Sequence, residues 1–386
     1  MTSQTASAAG AASPRIRATY ISFAYLATWA FILYGVGVAT PYLRVDLHLT
    51  AFQAGLHASA MATGTLTAGL TADRVARRVG SYWLPDLAVA IISGGVALIA
   101  FAPGLLASLT GAMLLGLGGG TLGTWVNVGL SRTAGTDSRR LFSQANGLAM
   151  ITAAASPVAI GLAASGWHAW RVAFAIPVIA FVGLAIIRPR ESGARSSVRT
   201  PQLSLPGHYW FSWLAIALAV SIEFSFVYWG STIVGKRTGI SSADATLMAS
   251  LFVLGMFIGR IAIGRGFGAG RPPRVMLAAG FIVVLIGASV IWASMAPALS
   301  AIGLLVGGLG TAGLFPIGLA AALQSAPKAP LQAAARATLA SGCAVLLAPS
   351  TLGLAADEVG VVAAWTIIPL IAVAGLALVA ITPRSA

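Results

Sequence analysis

Of the nine acidic residues in this 386-residue sequence, Glu223 is the one that falls deep within an apolar stretch. It lies about two residues, roughly 3 Å along a helix, from the centre of the stretch 208–234. A charge in hydrocarbon costs on the order of 2.5–3.5 kcal/mol even on the milder scale, so acids in such places mark ion or proton paths. A carboxyl there sheds its charge by taking a proton, which suits proton coupling or pairing with a cationic solute. The alternative is a permanently protonated side chain bonded to a neighbouring helix. His57, in the stretch 51–71, could relay protons or bind solute; equally, it could pack against a carbonyl. Trp29, Tyr34, Trp125, Asn127, Trp213, Tyr228 and Trp229 offer aromatic faces and hydrogen-bonding groups for a cavity wall. Aromatic residues near the ends of apolar stretches also serve as interface anchors.

Enzymatic chemistry finds little support. There is no HExxH, no GxSxG and no complete GxxxxGK[ST] phosphate loop. The glycines at 116, 118, 119, 120 and 123 contain a formal GxGxxG, but no strand precedes it, so it reads as a surface for close helix approach. The lone cysteine, Cys343, can form neither an internal disulfide nor a cysteine metal cluster and reads as a small packing residue. No cofactor or metal is expected.

The elements that must position these residues follow from composition. With 58% apolar and 8% charged residues and a mean hydropathy of +0.90, the chain is neither an ordinary soluble domain nor disordered. Twelve continuously apolar spans lie near 18–43, 51–71, 82–102, 105–130, 141–164, 170–187, 208–234, 243–263, 274–296, 299–323, 334–356 and 359–382. Each has the length an α-helix needs to cross a bilayer, about 20 residues, and none shows the alternation of a barrel strand. The fold class is all-α: twelve transmembrane helices in two six-helix bundles. Residues 1–17 read as a cytoplasmic tail, 18–187 as the first bundle, 188–207 as a polar Arg-, Ser- and Pro-rich linker, and 208–386 as the second bundle with a short tail.

The net charge of +14 would suggest nucleic acid in a soluble protein, but its distribution points elsewhere. With the amino terminus inside, 19 of the 23 basic residues fall on the inner side; Arg44, Arg171, Lys236 and Arg237 are left outside. That bias places both termini in the cytoplasm of a bacterial-type inner membrane, with no removable signal peptide and no nucleic-acid partner.

Offset by 191 or 192 residues, the halves match: Ala54, Leu56, Ala58, Ser59 and Gly64 face Ala245, Leu247, Ala249, Ser250 and Gly255, and Gly116 faces Gly307. Further along, Pro157 and Gly161 face Pro349 and Gly353. Copies of six spans each begin and end on the same side, giving parallel repeats about an axis along the membrane normal. Two such bundles can rock around a midplane site and expose it to each side by turns.

The stretch GLTADRVARR, with Gly69, Asp73, Arg74, Arg77 and Arg78, resembles the signature loop of the major facilitator superfamily, although Ala76 stands where that family usually has glycine. Gly255, Gly259, Arg260 and Gly264 resemble its weaker second copy, and Trp170, Arg171, Phe174 and the GLFPIG around Pro316 are also similar. The resemblance covers residues 15–386. It implies a secondary transporter in which Asp73 and the neighbouring arginines form a gate that stabilises the outward-facing state, echoed by Gly259 and Arg260. Independently of the resemblance, Pro157, Pro316 and Pro349 weaken helix hydrogen bonding and either bend helices at the moving interface or make packing kinks without movement. Two positions depart from the pattern. Ala112 stands where a fourth-span arginine is common, and the fifth-span motif of many exporters survives as Ser156, Pro157 and Gly161. The expected partners are a small organic solute, protons or another coupling ion, and the bilayer. The expected functional form is a monomer. Export of an amphipathic metabolite is favoured over uptake symport or facilitated uniport, with a membrane enzyme or a channel as remote alternatives.

Overall fold

The computed structural model describes residues 3–80, 82–134, 138–167, 169–188, 204–268 and 270–382, without the side chains of 3–16, 72, 73, 128, 131–134, 138–140, 142, 143, 167, 330 and 331. Most of the linker read from the sequence, residues 189–203, lies outside the described residues.

In hydrocarbon every peptide N–H and C=O needs an internal partner, and a helix supplies these within one segment. Among the described residues the regular structure is all helical, with no strand. Six segments form the first bundle: α1 (Ser3–Asp46), α2 (Ala51–Val79), α3 (Leu84–Ala100), α4 (Leu105–Ala134), α5 (Ser138–Trp167), and a 3₁₀ turn (Trp170–Phe174) leading into α6 (Ala175–Ile187). Six more form the second: α7 (Tyr209–Thr238), α8 (Ser242–Gly264), α9 (Pro273–Ala293), α10 with α11 (Pro297–Thr311, Leu314–Ser325), α12 (Pro330–Val359), and α13 with α14 (Val361–Ala364, Ile367–Ile381). Among the described residues, ten segments are long and apolar enough to cross a membrane, and α3 is a shorter apolar helix. The remaining segment, α2, is diluted by threonines and a basic end. Twelve traversals return the chain to the side on which it starts, called here the terminal side; the other is the far side.

Three of the expected spans are interrupted, and proline explains where. Pro177, Pro316 and Pro369 each occupy the third position of the continuing helix, α6, α11 and α14. An N–H is not needed there for intrahelical bonding, and the carbonyl four residues earlier loses its helical donor. Pro157 and Pro349 instead sit inside the continuous helices α5 and α12. Pro157 deprives the Ala153 carbonyl of its N–H, and the Ser156 hydroxyl donates to that carbonyl at 3.0 Å.

Glycine contacts carry the duplication into three dimensions. A Cβ on Gly64 would strike the Met113 carbonyl, and one on Gly255 the Leu305 carbonyl; Gly95 and Gly111 approach each other as Gly287 and Gly303 do. Gly116 lies against the Met61 carbonyl and Gly308 against that of Phe252, so packing pairs Gly116 with Gly308, one residue beyond the sequence match to Gly307. Small residues let helix backbones meet where water cannot drive association.

The first bundle is tied at both ends by ion pairs. On the far side Arg171 meets Asp46 at 2.7 Å, and the Trp170 indole donates to the same carboxylate at 2.9 Å. On the terminal side Arg188, read from the sequence as a linker charge, is buried. It binds Asp86 at 2.6 Å and the Tyr82 carbonyl at 3.0 Å. Cys343 is exposed and is not the packing residue expected.

Candidate functional site

Glu223 and Tyr34, 189 residues apart, meet where α7 of the second bundle crosses α1 of the first. The Tyr34 hydroxyl donates to Glu223 Oε1 at 2.5 Å. Both side chains are buried, and the Phe224 ring lies 6.5 Å from that of Tyr34. The Arg260 guanidinium acts through space on the Tyr34 hydroxyl, and among the described residues its buried Nε has no hydrogen-bond partner. The resemblance put Arg260 in a weaker second copy of the signature at the end of the eighth span, and it lies on α8. A carboxylate, a phenol and a guanidinium, contributed by both bundles, can exchange a proton and hold a polar group of a solute.

From this centre to the far side the bundles are joined. On α2 and α12, the Ser59 hydroxyl donates to the Leu346 carbonyl at 2.5 Å, and Gly55 and Gly353 let the backbones touch at Pro349–Ser350 and Ala51. On α5 and α8, Gly161 packs against Leu247 and Ala243; on α1 and α7, Gly37 packs against Val227 and Tyr228. The Tyr42 hydroxyl lies 3.0 Å from the Ser242 carbonyl and 2.9 Å from the Thr246 hydroxyl.

The most complete junction is at the start of α2. The first amides of a helix have no intrahelical acceptor. Thr50 and Gln53 satisfy two of them in a reciprocal capping box. The two between them, Ala51 and Phe52, donate at 2.7 Å each to the Asp357 carboxylate at the end of α12 in the other bundle. Toward the terminal side the same helices open to their surroundings: Leu70 and Leu339 are exposed, and Gly69 and Gly147 have open space about them. The inter-bundle hydrogen bonds named above thus lie between this centre and the far side, and α2 and α12 still touch near mid-helix where Gly342 packs against Leu66.

The other residues singled out from sequence fall elsewhere. His57 is buried within the first bundle. Its Nδ1 lies 3.0 Å from the Ala54 carbonyl and its Nε2 2.9 Å from the Ser108 hydroxyl, contacts that a neutral ring satisfies by donating to the first and accepting from the second. It packs α2 on α4 and does not join Glu223. Trp29 lies against Gly119, and Trp125 packs edge-on to Tyr25 and near Arg188, both inside the first bundle. Asn127 is exposed on α4. The Trp213 indole donates to the Arg336 carbonyl at 2.9 Å and that of Trp229 to Pro349 at 3.0 Å. Tyr228 is fully buried at the α1 contact.

Gly69, Arg74, Arg77 and Arg78 lie on the last turns of α2 rather than in a loop, with the three arginines exposed; the Asp73 side chain lies outside the described residues. Gly259 packs against Ala312 at the α10–α11 break. Pro349 gives its carbonyl to Trp229, and Pro316 marks the α11 restart. The spacing Gly230, Gly235, Lys236 is that of a partial phosphate loop, but it lies within α7, where the backbone amides are already bonded. No group of three His, Cys, Asp or Glu is placed to hold a metal among the described residues. Sequence reasoning missed Asp357 and Ser59, although the Thr50–Gln53 box that leaves two amides for Asp357 could be read from the residues alone.

The fold is shared with solved transporters. A POT family transporter in complex with 5-aminolevulinic acid superposes with a TM-score of 0.77 at 13% identity, over 95% of each chain. A bacterial homologue of the human lysosomal transporter Spinster, inward-facing and occupied, gives 0.76 at 13% identity over 97% of this chain and 98% of that one. The nucleoside transporter NupG gives 0.74 at 14% identity, over 94% and 98%. No curated protein sequence matches significantly. The Major Facilitator Superfamily family model matches residues 18–296. This multi-pass membrane protein is therefore a transporter, not an enzyme, and the chain belongs to the major facilitator superfamily.

Proposed function

We propose that the chain is a secondary active transporter of a small organic solute, working by alternating access with Glu223 as its proton site. The observation that carries this reading is the buried Tyr34–Glu223 hydrogen bond between the bundles. A hydrogen bond to a carboxylate is roughly twice as strong as one between neutral partners. Protonating Glu223 removes that charge assistance and loosens the link by on the order of 1 kcal/mol, so proton binding and bundle separation are coupled at one point. Arg260 supplies a countercharge for Glu223 or for an anionic group on the solute.

The apolar and aromatic surroundings of the pair, Phe224 among them, favour an amphipathic solute, and the Ser156, Pro157, Gly161 remnant favours export. The basic bias toward the terminal side favours a bacterial inner membrane with both termini in the cytoplasm. In that orientation the structure corresponds to the inward-facing state.

The test is transport in liposomes after a thermal-shift screen has identified a solute. Glu223→Gln is expected to abolish accumulation driven by a pH gradient while retaining solute counterflow. A Glu223→Gln protein that still accumulates solute against its gradient contradicts proton coupling at this residue.

A further inference from the structure

A cavity of about 670 Å³ lies on the far side between the bundles, away from Glu223. Its lining includes Arg44 and His48 from the first bundle and Lys236 and Ser231 from the second and, among the described residues, no acidic one. Two of the four basic residues that the topology leaves on this side thus converge on one space. The other two are engaged elsewhere: Arg171 by Asp46, and Arg237 by the Ala293 and Ser294 carbonyls.

The cations facing the cavity are not spent. Arg44 uses Nε on the Leu49 carbonyl at 3.2 Å, and no hydrogen bond or ion pair among the described residues engages its terminal nitrogens or the Lys236 ammonium. Of the carboxylates on this side, Asp46 is held by Arg171 and Trp170, Asp244 by Ser241, and Asp357 by the α2 amides, while Glu358 is exposed at the end of α12. Asp357 acts on Arg44 only through space. A separate observation concerns a neutral donor. Ser231, only 4% exposed, lines this cavity, and among the described residues its hydroxyl has no hydrogen-bond partner. A buried hydroxyl left without a partner is destabilising, and an acceptor atom entering the cavity would relieve that. Cations on flexible stems together with an unused hydroxyl form the donor set that recognises an oxyanion.

We propose that this cavity binds a small oxyanion of the phosphate, sulfate or carboxylate class between Arg44 and Lys236, and that the bound anion bridges the bundles and holds the far side shut. Opening the far side would separate Arg44 from Lys236, so the anion binds the closed state in preference to the open one.

The probe is inorganic phosphate, titrated calorimetrically at constant ionic strength into the full-length protein in phosphatidylcholine nanodiscs. Saturable binding is expected, weakened about tenfold or more in Lys236→Gln and in Arg44→Gln. Arg265→Gln, which removes the same charge on the terminal side, should leave it unchanged. Nanodiscs containing phosphatidylglycerol distinguish the anion's source: loss of the phosphate signal there assigns the site to a lipid headgroup, and its persistence to a soluble anion. Absence of saturable binding, or equal weakening by Arg265→Gln, overturns the site. A second readout needs no charge variant. With spin labels across the far side, phosphate at ten times its Kd should raise the closed-to-open ratio about 11-fold; an unchanged ratio overturns the bridging role. Neither readout involves solute or proton transport, so their failure would leave the reading of Glu223 standing.

Discussion

The crossings of α2 with α12 and of α8 with α5 are the same contact made twice, yet they are built differently. In both, a glycine sits over a carbonyl at the start of the partner helix: Gly353 over Ala51, and Gly161 over Ala243. Pro349 and Pro157 lie four residues earlier in each. At the first crossing a carboxylate follows, and Asp357 takes two amides of α2. At the second the corresponding residue is Ser165, whose hydroxyl turns back to its own helix at Leu162, while α8 is capped locally by Ser241. One crossing is latched by charge and hydrogen bonds, and the other is an apolar surface that can slide. The repeat dictates where the bundles touch, and a few substituted residues dictate how firmly.

The largest effect is expected from closing the glycine gap. Gly353→Val places carbon against a backbone carbonyl that cannot move aside and should disfavour the far-closed state by about 3 kcal/mol. Gly161→Val meets mainly the Leu247 side chain, which can yield, and should cost about 1 kcal/mol. Distance distributions across the far side check both; equal effects would mean that the crossings are mechanically alike.

Asp357→Asn comes next. It keeps the shape and removes the charge at the α2 amino terminus, and because the carboxylate is partly solvated the expected loss is about 1 kcal/mol, a shift of roughly fivefold toward far-side opening. Cysteine labelling at the far mouth measures it. An Asp357→Asn protein with unaltered labelling would reduce the latch to an ordinary surface contact.

Smaller still, Ser165→Asp writes the latch into the second crossing. Since Ser241 already serves one α8 amide, the gain in far-side closure should stay within about 0.5 kcal/mol. A gain as large as the loss in Asp357→Asn would show that the crossings differ only by that one residue.

Much of this architecture was legible in the residues. Span length fixed the number of segments, a constant offset exposed the duplication, and the depth of Glu223 singled it out because hydrocarbon penalises charge wherever it occurs. What the sequence hid were partnerships between distant segments. Tyr34 was one aromatic among six, and nothing local says that α1 meets α7 at that height. Asp357, just past the end of its span, was passed over and Arg188 read as a linker charge, because a charge at a helix end reads alike whether it faces water or another helix. His57 had two readings, and only the positions of Ala54 and Ser108 chose the packing one. The helix breaks were marked by Pro177, Pro316 and Pro369, yet Pro157 and Pro349 carry the same mark in unbroken helices, since a proline's effect depends on whether neighbouring groups serve the carbonyl it frees.

The central claim is that the far and terminal mouths open in alternation around Tyr34 and Glu223. Double electron–electron resonance on a Cys343→Ala background tests it, with one label pair at Val45 and Val359 on the far side and another at Gln144 and Gln324 on the terminal side. Under turnover the account predicts that populations with a longer Val45–Val359 distance have a shorter Gln144–Gln324 distance. Both distances lengthening together, or a far-side distance that never changes during transport, would contradict it.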